Sequence, residues 1–359
     1  TPKPSSAASD VYKRQLQPSV YVHDQREMLI VIHVDDFLCA AEQQSLDWFY
    51  TELVKVYELK RCVISSDPSD SHETTYLNRR LKWDEHNFIS YEGDAKHTDI
   101  LLKEWGLRDA KVPTSTLTKD LADKVGEGVT LGENEGRRVR RSIARINFMA
   151  QDRPDLCCAA RILSKHMSSP TAGTQVALQH VVRYLKGNRR CINRIFASIP
   201  AEAFALSAFC DSDWANDTSS RKSCSGGVIS LAGIPLCFWS KSQANIALSS
   251  GEAELNSSVK AISELLGIVQ LWEELFASQL PSTLHVDASA CRGMLLRAGT
   301  GKVKHLSTKQ LWVQSVVETL PVEVIKIPRS ENYADMLTHC LSGSETRPQL
   351  ERMGHKCVS

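Results

Sequence analysis

Residues 209–227 read FCDSDWANDTSSRKSCSGG, a stretch in which Asp211 lies inside a run of small and apolar residues. Around it, three short β-rich runs separated by turns predict three consecutive strands at 205–214, 227–232 and 236–241. The pattern then predicts a helix, a strand, two helices, a strand and a helix at 250–276, 283–287, 289–297, 308–319, 322–327 and 332–341. This order predicts one mixed α/β domain over 201–345.

Four carboxylates recur where these predicted elements begin or end: Asp211, Glu254, Asp287 and Asp335. Taken singly, such a residue is more often a helix cap or a surface charge than a ligand. Together they can meet at one edge of the sheet and hold two Mg²⁺ ions about 4 Å apart, as in-line phosphodiester hydrolysis requires. Mg²⁺ prefers hard oxygen ligands, which fits a set of carboxylates.

Two glutamates near the start of the long predicted helix have to be distinguished. If Ser249 is the N-cap, Glu252 is the third helical residue, and a capping box turns its side chain back to the Ser249 amide. Glu254 points about 200° away around the helix. It precedes Leu255, which begins the stripe that faces the sheet, so Glu254 is the predicted ligand.

A second acidic pair, Asp35 and Asp36, interrupts the apolar run MLIVIHVDDFLCA at 28–40. Burying unpaired carboxylates is costly, so the pair needs an explanation. One is a hairpin turn, where Asp-Asp is favourable, and the other is a divalent metal site. Neighbours on a regular strand face opposite sides, so both carboxylates reach one ion only from a tight hairpin.

The formal net charge of +1 hides a basic segment. Residues 137–194 contain thirteen Lys or Arg and two Asp, a net of +11, which leaves −10 for the remainder. A dense basic segment in a neutral chain suggests a polyanion partner, and a solvated basic face is the alternative. The candidate contacts to a nucleic-acid backbone are Arg183, Lys186, Arg189, Arg190, Lys222 and Lys241.

The composition of the 359 residues is that of a globular protein, with 42% hydrophobic and 24% charged residues. It excludes long disorder and coiled-coil arrays as descriptions of the whole. No apolar run approaches the ~18–20 residues that span a bilayer, so we expect no membrane. The eleven cysteines include no CxxC pair, which disfavours a zinc site or a disulfide framework and favours a reducing compartment.

Five blocks, in order and spacing, resemble the ribonuclease H domain of copia-type LTR retrotransposon Pol polyproteins. After 209–227 they are FWSKSQANIALSSGEAEL (238–255), HVDASA (285–290), KHLSTKQLW (304–312) and IPRSENYADMLTHCLS (327–342). Upstream, VIHVDDFLCA (31–40) resembles the catalytic hairpin of that family's reverse transcriptase. The segments at 146–156 and 168–187 resemble the connection between the two enzymes.

The resemblance implies a ribonuclease H-like fold, a mixed five-stranded sheet with flanking helices. It implies that the four carboxylates bind two Mg²⁺ ions, which Mn²⁺ can replace, and that His305 shuttles a proton or assists product release. It also implies that Asp35 and Asp36 are the paired polymerase aspartates. The third polymerase aspartate of the family belongs well upstream, and neither Asp10 nor Asp24 lies in a matching strand, so we expect no polymerase activity.

The expected division of the chain follows from this resemblance. Residues 1–16 are a disordered or foreign N-terminus, 17–111 a partial reverse transcriptase palm/thumb, 112–200 a linker and helical connection, 201–345 the ribonuclease H domain and 346–359 a flexible tail. The expected partners are an RNA–DNA hybrid and the remainder of the Pol polyprotein, with the oligomeric state open. The expected location is the cytoplasm, in virus-like particles, or the nucleus.

The leading functional hypothesis is hydrolysis of the RNA strand of RNA–DNA hybrids. The alternative is a catalytically inactive remnant of a degenerate element that only binds nucleic acid through its basic segment. Metal-dependent cleavage distinguishes the two. A doubly wound small-molecule enzyme is disfavoured, because no glycine-rich phosphate loop follows any predicted strand.

Overall fold

The structure, a computed structural model, describes residues 11–13, 19–84, 88–196, 198–301, 308–320 and 322–358. The elements of its first part are β1 (Val11–Lys13), β2 (Val20–His23), β3 (Met28–His33), β4 (Asp36–Ala40), α1 (Gln43–Leu53), β5 (Glu73–Tyr76), β6 (Arg79–Trp83), β7 (Phe88–Gly93) and α2 (Lys96–Trp105). The middle part has α3 (Lys119–Asp123), α4 (Glu133–Met149), α5 (Pro154–Ser164), α6 (Ala172–Gly187) and β8 (Arg190–Phe196).

The last part has β9 (Leu206–Asp213), β10 (Cys224–Leu231), β11 (Ile234–Ser242), α7 (Ser250–Phe276), β12 (Ser282–Val286), α8 (Ser289–Leu295), α9 (Thr308–Thr319), β13 (Val322–Lys326), α10 (Asp335–Thr338), α11 (Gly343–Arg352) and β14 (His355–Val358). Its sheet has the order β11-β10-β9-β12-β13. Strands β9, β10 and β11 are antiparallel neighbours, while β12 runs parallel to β9 and β13. The mixed five-stranded sheet predicted for 201–345 is confirmed.

Both faces of this sheet are covered. Side chains of a strand alternate between faces, so Leu206, Ala208 and Cys210 of β9 pack with the apolar stripe of α7. Phe209 points the other way, into a core that it shares with the middle helices. On that side α5 lies against β11 and α10. Asp211 alternates with Cys210 and therefore lies on the α10 side.

Gly226 permits the close approach of α10 to the sheet. It pairs with Asp211 across β10 and β9. A Cβ atom at this position would lie 2.9 Å from the Ala334 carbonyl oxygen, well inside an ordinary contact. Glycine therefore lets the helix that carries Asp335 sit directly over Asp211.

The final residues correct one expectation. The division given above makes 346–359 a flexible tail, but α11 extends into these residues and β14 pairs antiparallel with β8. His355 is buried and Lys356 exposed, as alternation on a strand with one covered face requires. Pairing with β8 also satisfies backbone groups that an unpaired strand would leave open.

The expected boundaries at 111/112 and 345/346 do not coincide with the edges of the structure's sheets. The order β14-β8-β7-β6-β5 joins one strand from the last part, one from the middle and three from the first. At the other end, Val11–Lys13 pair with β2, which corrects the expectation of disorder for those three residues. The rest of 1–16 lies outside the described residues. None of the described helices is both long and apolar enough to cross a membrane.

Candidate active site

Four elements that are distant in sequence bring the predicted carboxylates together. Asp211 lies in β9, Glu254 in the first turns of α7, Asp287 directly after β12, and Asp335 at the start of α10. Oxygen atoms of Asp211, Glu254 and Asp287 all lie within 4.8 Å of one another. An Asp335 oxygen lies within the same distance of Asp211. Asp211 therefore belongs to both groups and occupies the centre of the site.

Asp211 is 4% exposed and lies under α10. The Thr338 hydroxyl donates a hydrogen bond to its Oδ2 atom, and Nε2 of His339 lies 3.8 Å from the same oxygen. Burial raises the pKa of Asp211, and the charges of Asp287 and Asp335 add to that effect. The Thr338 hydrogen bond and His339 oppose it.

Glu254 is 8% exposed and has a polar partner on β9. Its Oε1 atom accepts hydrogen bonds from the Ser212 hydroxyl at 2.9 Å and the Ser212 amide at 3.3 Å. Burial, followed by the charges of Asp211 and Asp287, raises the pKa of Glu254 to about 8. These carboxylates are thus crowded and desolvated, an environment that a cation would relieve.

The helix cap directs Glu252 and Glu254 to different partners. Ser249 is the N-cap of α7, and its hydroxyl accepts the Glu252 amide at 3.2 Å. The Glu252 carboxylate turns back to accept the Leu248 amide at 2.7 Å, one residue earlier than the predicted capping box requires. Glu252 is a capping residue, whereas Glu254 faces the carboxylate cluster.

Asp287 and Asp335 have partners that the sequence pattern did not reveal. Asn332 donates to Asp287 Oδ2 at 3.4 Å and to the Cys210 carbonyl at 2.9 Å. Arg329 donates to Asp335 Oδ1 from two nitrogens, at 2.8 and 2.7 Å. Both partners lie in the block 327–342, in which the sequence pattern singles out only Asp335.

His339 was also missed. Its ring lies between three aspartates, with Nδ1 3.4 Å from Asp213 and Nε2 3.7 Å from Asp335. The available signal was its position four residues after Asp335, a spacing that places two side chains on one helix face. Because Mg²⁺ prefers oxygen ligands, the imidazole is better suited to positioning these aspartates than to holding such an ion.

The Asp35 and Asp36 pair lies elsewhere, in an open environment. His33 pairs with Asp36 across the β3–β4 hairpin, so the two aspartates are at its tip, and both are exposed. Val34 at the same turn is 88% exposed and adopts a positive φ of 58°. Among the described residues, no group of three metal-ligating side chains includes Asp35 or Asp36.

Three of the six basic residues predicted to contact nucleic acid already bind other groups of this chain. Arg189 pairs with Asp99 at 2.5 Å, Arg190 binds both oxygens of Glu92, and Lys186 donates to the Ala110 carbonyl at 2.9 Å. Of the other candidates, Arg183 is half-buried on α6, Lys222 is half-buried before β10 and Lys241 is exposed near the end of β11. His305 lies outside the described residues.

No family model matches the chain. It is 24% identical over 321 residues to the retrovirus-related Pol polyprotein from transposon TNT 1-94 of Nicotiana tabacum, covering 87% of this chain and 23% of that protein. It is 31% identical over 206 residues to that from transposon RE2 of Arabidopsis thaliana, covering 56% of this chain and 14% of that one. A solved LC11-RNase H1 isolated from compost is 16% identical, with a TM-score of 0.28, over 37% of this chain and 91% of its own.

The sheet order and the carboxylates at its edge define a ribonuclease H-like domain. The chain is similar to retrovirus-related Pol polyproteins of plant transposons, which agrees with the copia-type resemblance of its sequence blocks. It spans between 14% and 23% of the length of the transposon relatives compared.

Proposed function

We propose that the domain at 201–345 hydrolyses the RNA strand of RNA–DNA hybrids with two bound Mg²⁺ ions, which Mn²⁺ can replace. The observation that supports this proposal best is the convergence of Asp211, Glu254, Asp287 and Asp335 from four separate elements. Burying acidic groups side by side is unfavourable unless a counter-charge joins them. A divalent cation provides one.

The donor set fits such ions. Asp211, Glu254 and Asp287 offer oxygen atoms to one position, and Asp211 with Asp335 offers them to a second. When bound, the ions would supply an activated water and neutralise charge on the leaving oxygen. The protein orients the ligands: Ser212 fixes Glu254, Asn332 fixes Asp287, and Arg329 fixes Asp335.

Hybrid selection would come from the shape of the duplex and from 2′-hydroxyl contacts, because a nuclease of this kind does not need base readout. The exposed Lys241 at the end of β11 and Lys222 before β10 are candidates to contact the phosphate backbone. The remainder of the Pol polyprotein and an RNA–DNA hybrid are the proposed partners.

The β3–β4 hairpin is proposed to be a polymerase remnant without synthetic activity in this chain. Its two aspartates are exposed and belong to none of the three-residue ligand groups found in the described part of the chain. Two-metal chemistry requires ligands on more than one side of the ions, and a hairpin tip alone offers one side.

The test is cleavage of an end-labelled RNA–DNA hybrid by the full chain, with Mg²⁺ and with chelator. We expect cleavage of the RNA strand only, and only with metal. Double-stranded DNA of the same sequence is the matched substrate control. Tight hybrid binding without cleavage at any Mg²⁺ or Mn²⁺ concentration would favour the inactive binding remnant instead.

A further inference from the structure

Arg161 on α5 is a buried cation with no carboxylate beside it among the described residues. It is 8% exposed, and its acceptors are the Ser240 hydroxyl at 3.0 Å, the Thr338 carbonyl at 3.4 Å and the Cys158 sulfur at 3.8 Å. Its Nη1 atom is buried without a hydrogen-bond partner. A buried guanidinium is stable only if a nearby group can balance its charge.

The beginning of α5 provides the comparison. Arg153 is also buried, but it donates to both oxygens of Asp155, at 3.2 and 2.7 Å. One arginine of this helix is therefore neutralised by a carboxylate, while the other has thiols around it. The surroundings of Arg161 need a negative charge that a cysteine can supply.

Cys158 is the thiol that supplies it. The hydrogen bond from Cys340 lowers the pKa of Cys158, burial opposes this, and the Arg161 charge reinforces it. Cys224 is also near the guanidinium, but burial raises its pKa to about 11. Cys340 lies with its sulfur 4.0 Å from that of Cys158 and is half-buried, so a small oxidant can approach the pair from the Cys340 side.

We propose that Cys158 and Cys340 are a thiol-oxidation site, which hydrogen peroxide converts to a disulfide. The Cys158 thiolate attacks one peroxide oxygen and the O–O bond breaks, which gives a sulfenic acid and a hydroxide. The hydroxide takes up a proton from solvent, which replaces the one that the Cys158 thiol released, and leaves as water. The Cys340 sulfur then attacks the Cys158 sulfur, and the second hydroxide leaves as water with the Cys340 proton. Two thiols lose two electrons, and one peroxide becomes two waters.

A disulfide between Cys158 and Cys340 would change the surroundings of the carboxylate cluster, and this part of the proposal rests on the proposed function of that cluster. A disulfide needs about 2.05 Å between sulfurs, so the Cys340 segment must move toward α5. Thr338 and His339, directly before Cys340, contact Asp211. Oxidation also removes the charge that balances Arg161, which contacts the Thr338 carbonyl.

A second pair of cysteines in the same protein serves as an internal control. Cys191 and Cys357 face each other across β8 and β14, with both sulfurs within 4.8 Å of each other and of an Asp155 oxygen. There the arginine is already neutralised by Asp155, and the hydrogen bond with Cys357 and burial raise the pKa of Cys191. The two sulfurs of each pair lie within 4.8 Å of each other, and Arg153 also donates to the Cys357 sulfur at 3.9 Å. Asp155, however, already balances the charge of Arg153, so this arginine favours a thiolate less than Arg161 does.

The experiment is a peroxide time course on the reduced full chain, followed by alkylation and mass mapping of disulfide-linked peptides. We expect the 158–340 link to form about tenfold faster or more than the 191–357 link, because only thiolates react readily. Equal rates for the two pairs, or a 158–340 link that never forms, would overturn the proposal. The mapping needs no nuclease activity, so its failure is distinct from failure of the proposed function.

Two variants test the assigned order of attack. Cys340→Ser should leave a sulfenic acid at Cys158 that dimedone traps, whereas Cys158→Ser should give no trapped product at Cys340. Dimedone labelling at Cys340 in the second variant, or none at Cys158 in the first, contradicts the assignment. Melting temperatures of the reduced variants establish that each one folds.

The effect on the carboxylates is measured without turnover, as the rise in melting temperature that Mg²⁺ produces. We expect this rise to differ between reduced and peroxide-treated wild type and to be the same for both treatments in Cys158→Ser, which cannot form the sulfenic acid. An identical rise in the oxidised and reduced wild type would overturn the coupling through α10. Loss of the difference on adding a thiol reductant would establish that the link is reversible.

Discussion

Two acidic regions look alike in the sequence and differ in the folded chain. Asp35–Asp36 and Asp211 each interrupt an apolar β-like run. The fold exposes the first pair at a hairpin tip, whereas it buries Asp211 among carboxylates from three other elements. A metal site depends on tertiary closure around the carboxylates, and an apolar context in sequence indicates only where to search for it.

The largest expected effect is that of Asp211→Asn, because Asp211 belongs to both ligand groups. We expect hybrid cleavage to fall about a hundredfold or more, which corresponds to ~2.7 kcal/mol of transition-state stabilisation. Initial rates on the labelled hybrid at saturating Mg²⁺ measure it. Asp36→Asn is the matched control and should retain the full rate. Equal losses in the two variants would remove the distinction between the two acidic regions.

The next effect separates two glutamates that lie two residues apart on α7. Glu254→Gln should abolish cleavage and leave the melting temperature unchanged or higher, because it removes a buried charge from a repulsive cluster. Glu252→Gln should keep most activity and cost at most ~1 kcal/mol of stability, since glutamine can still accept the Leu248 amide. Rates and thermal melts of both variants test this. Activity in Glu254→Gln with none in Glu252→Gln would mean that the wrong glutamate was assigned.

A third prediction concerns pH and metal. The folded pKa of Glu254 is raised from 4.5 to about 8. Its protonated form therefore contributes stability that is fully present below pH 4.5 and is lost as pH rises through 8. In thermal melts between about pH 5 and 8.5, the metal-free wild type should lose stability relative to Glu254→Gln as the pH rises. Mg²⁺ should stabilise the wild type more at about pH 8 than at about pH 6. A Mg²⁺ effect that is independent of pH would place the ion elsewhere.

The sequence predicted the mixed five-stranded sheet well, because its strands and the long α7 have strong periodicity. It also predicted that the four carboxylates lie close together, since each lies near the beginning or the end of an element. It could not predict Thr338 over Asp211, which depends on Gly226 admitting α10. Nor could it predict the pairing of β14 with β8, which joins residues more than 150 positions apart in sequence.

The net charge of the basic segment at 137–194 is also offset in part by contacts that the sequence does not reveal. In sequence 137–194 carries +11, but three arginines at its end have acidic partners far from them along the chain. Arg190 pairs with Glu92, Arg189 with Asp99 and Arg194 with Asp84. A local count of charge cannot include these partners, so it overestimates the field that nucleic acid would meet.

We therefore expect Arg189 and Arg190 to contribute less to the binding of a hybrid than their charges suggest. The slope of log affinity for a hybrid against log salt falls by roughly 0.9 for each phosphate that the protein no longer neutralises. Arg189→Gln with Arg190→Gln should change the slope by less than this, because both side chains already bind carboxylates. Lys222→Gln with Lys241→Gln should change it more. Fluorescence anisotropy across a salt series measures the slope for both double variants. A larger change for the arginine pair than for the lysine pair would place the hybrid-binding surface at Arg189 and Arg190.

The smallest effect is expected for substitutions in the β3–β4 hairpin. Asp35→Ala with Asp36→Ala should leave hybrid cleavage, Mg²⁺ stabilisation and melting temperature unchanged within error, because both side chains are exposed and lie outside the described three-residue ligand groups. Primer extension by the wild-type chain on an RNA template should stay at background for the same reason. Synthesis above background that the double variant abolishes would mean that a third ligand completes the hairpin site. The two acidic regions would then both be metal centres, and burial would not be what separates them.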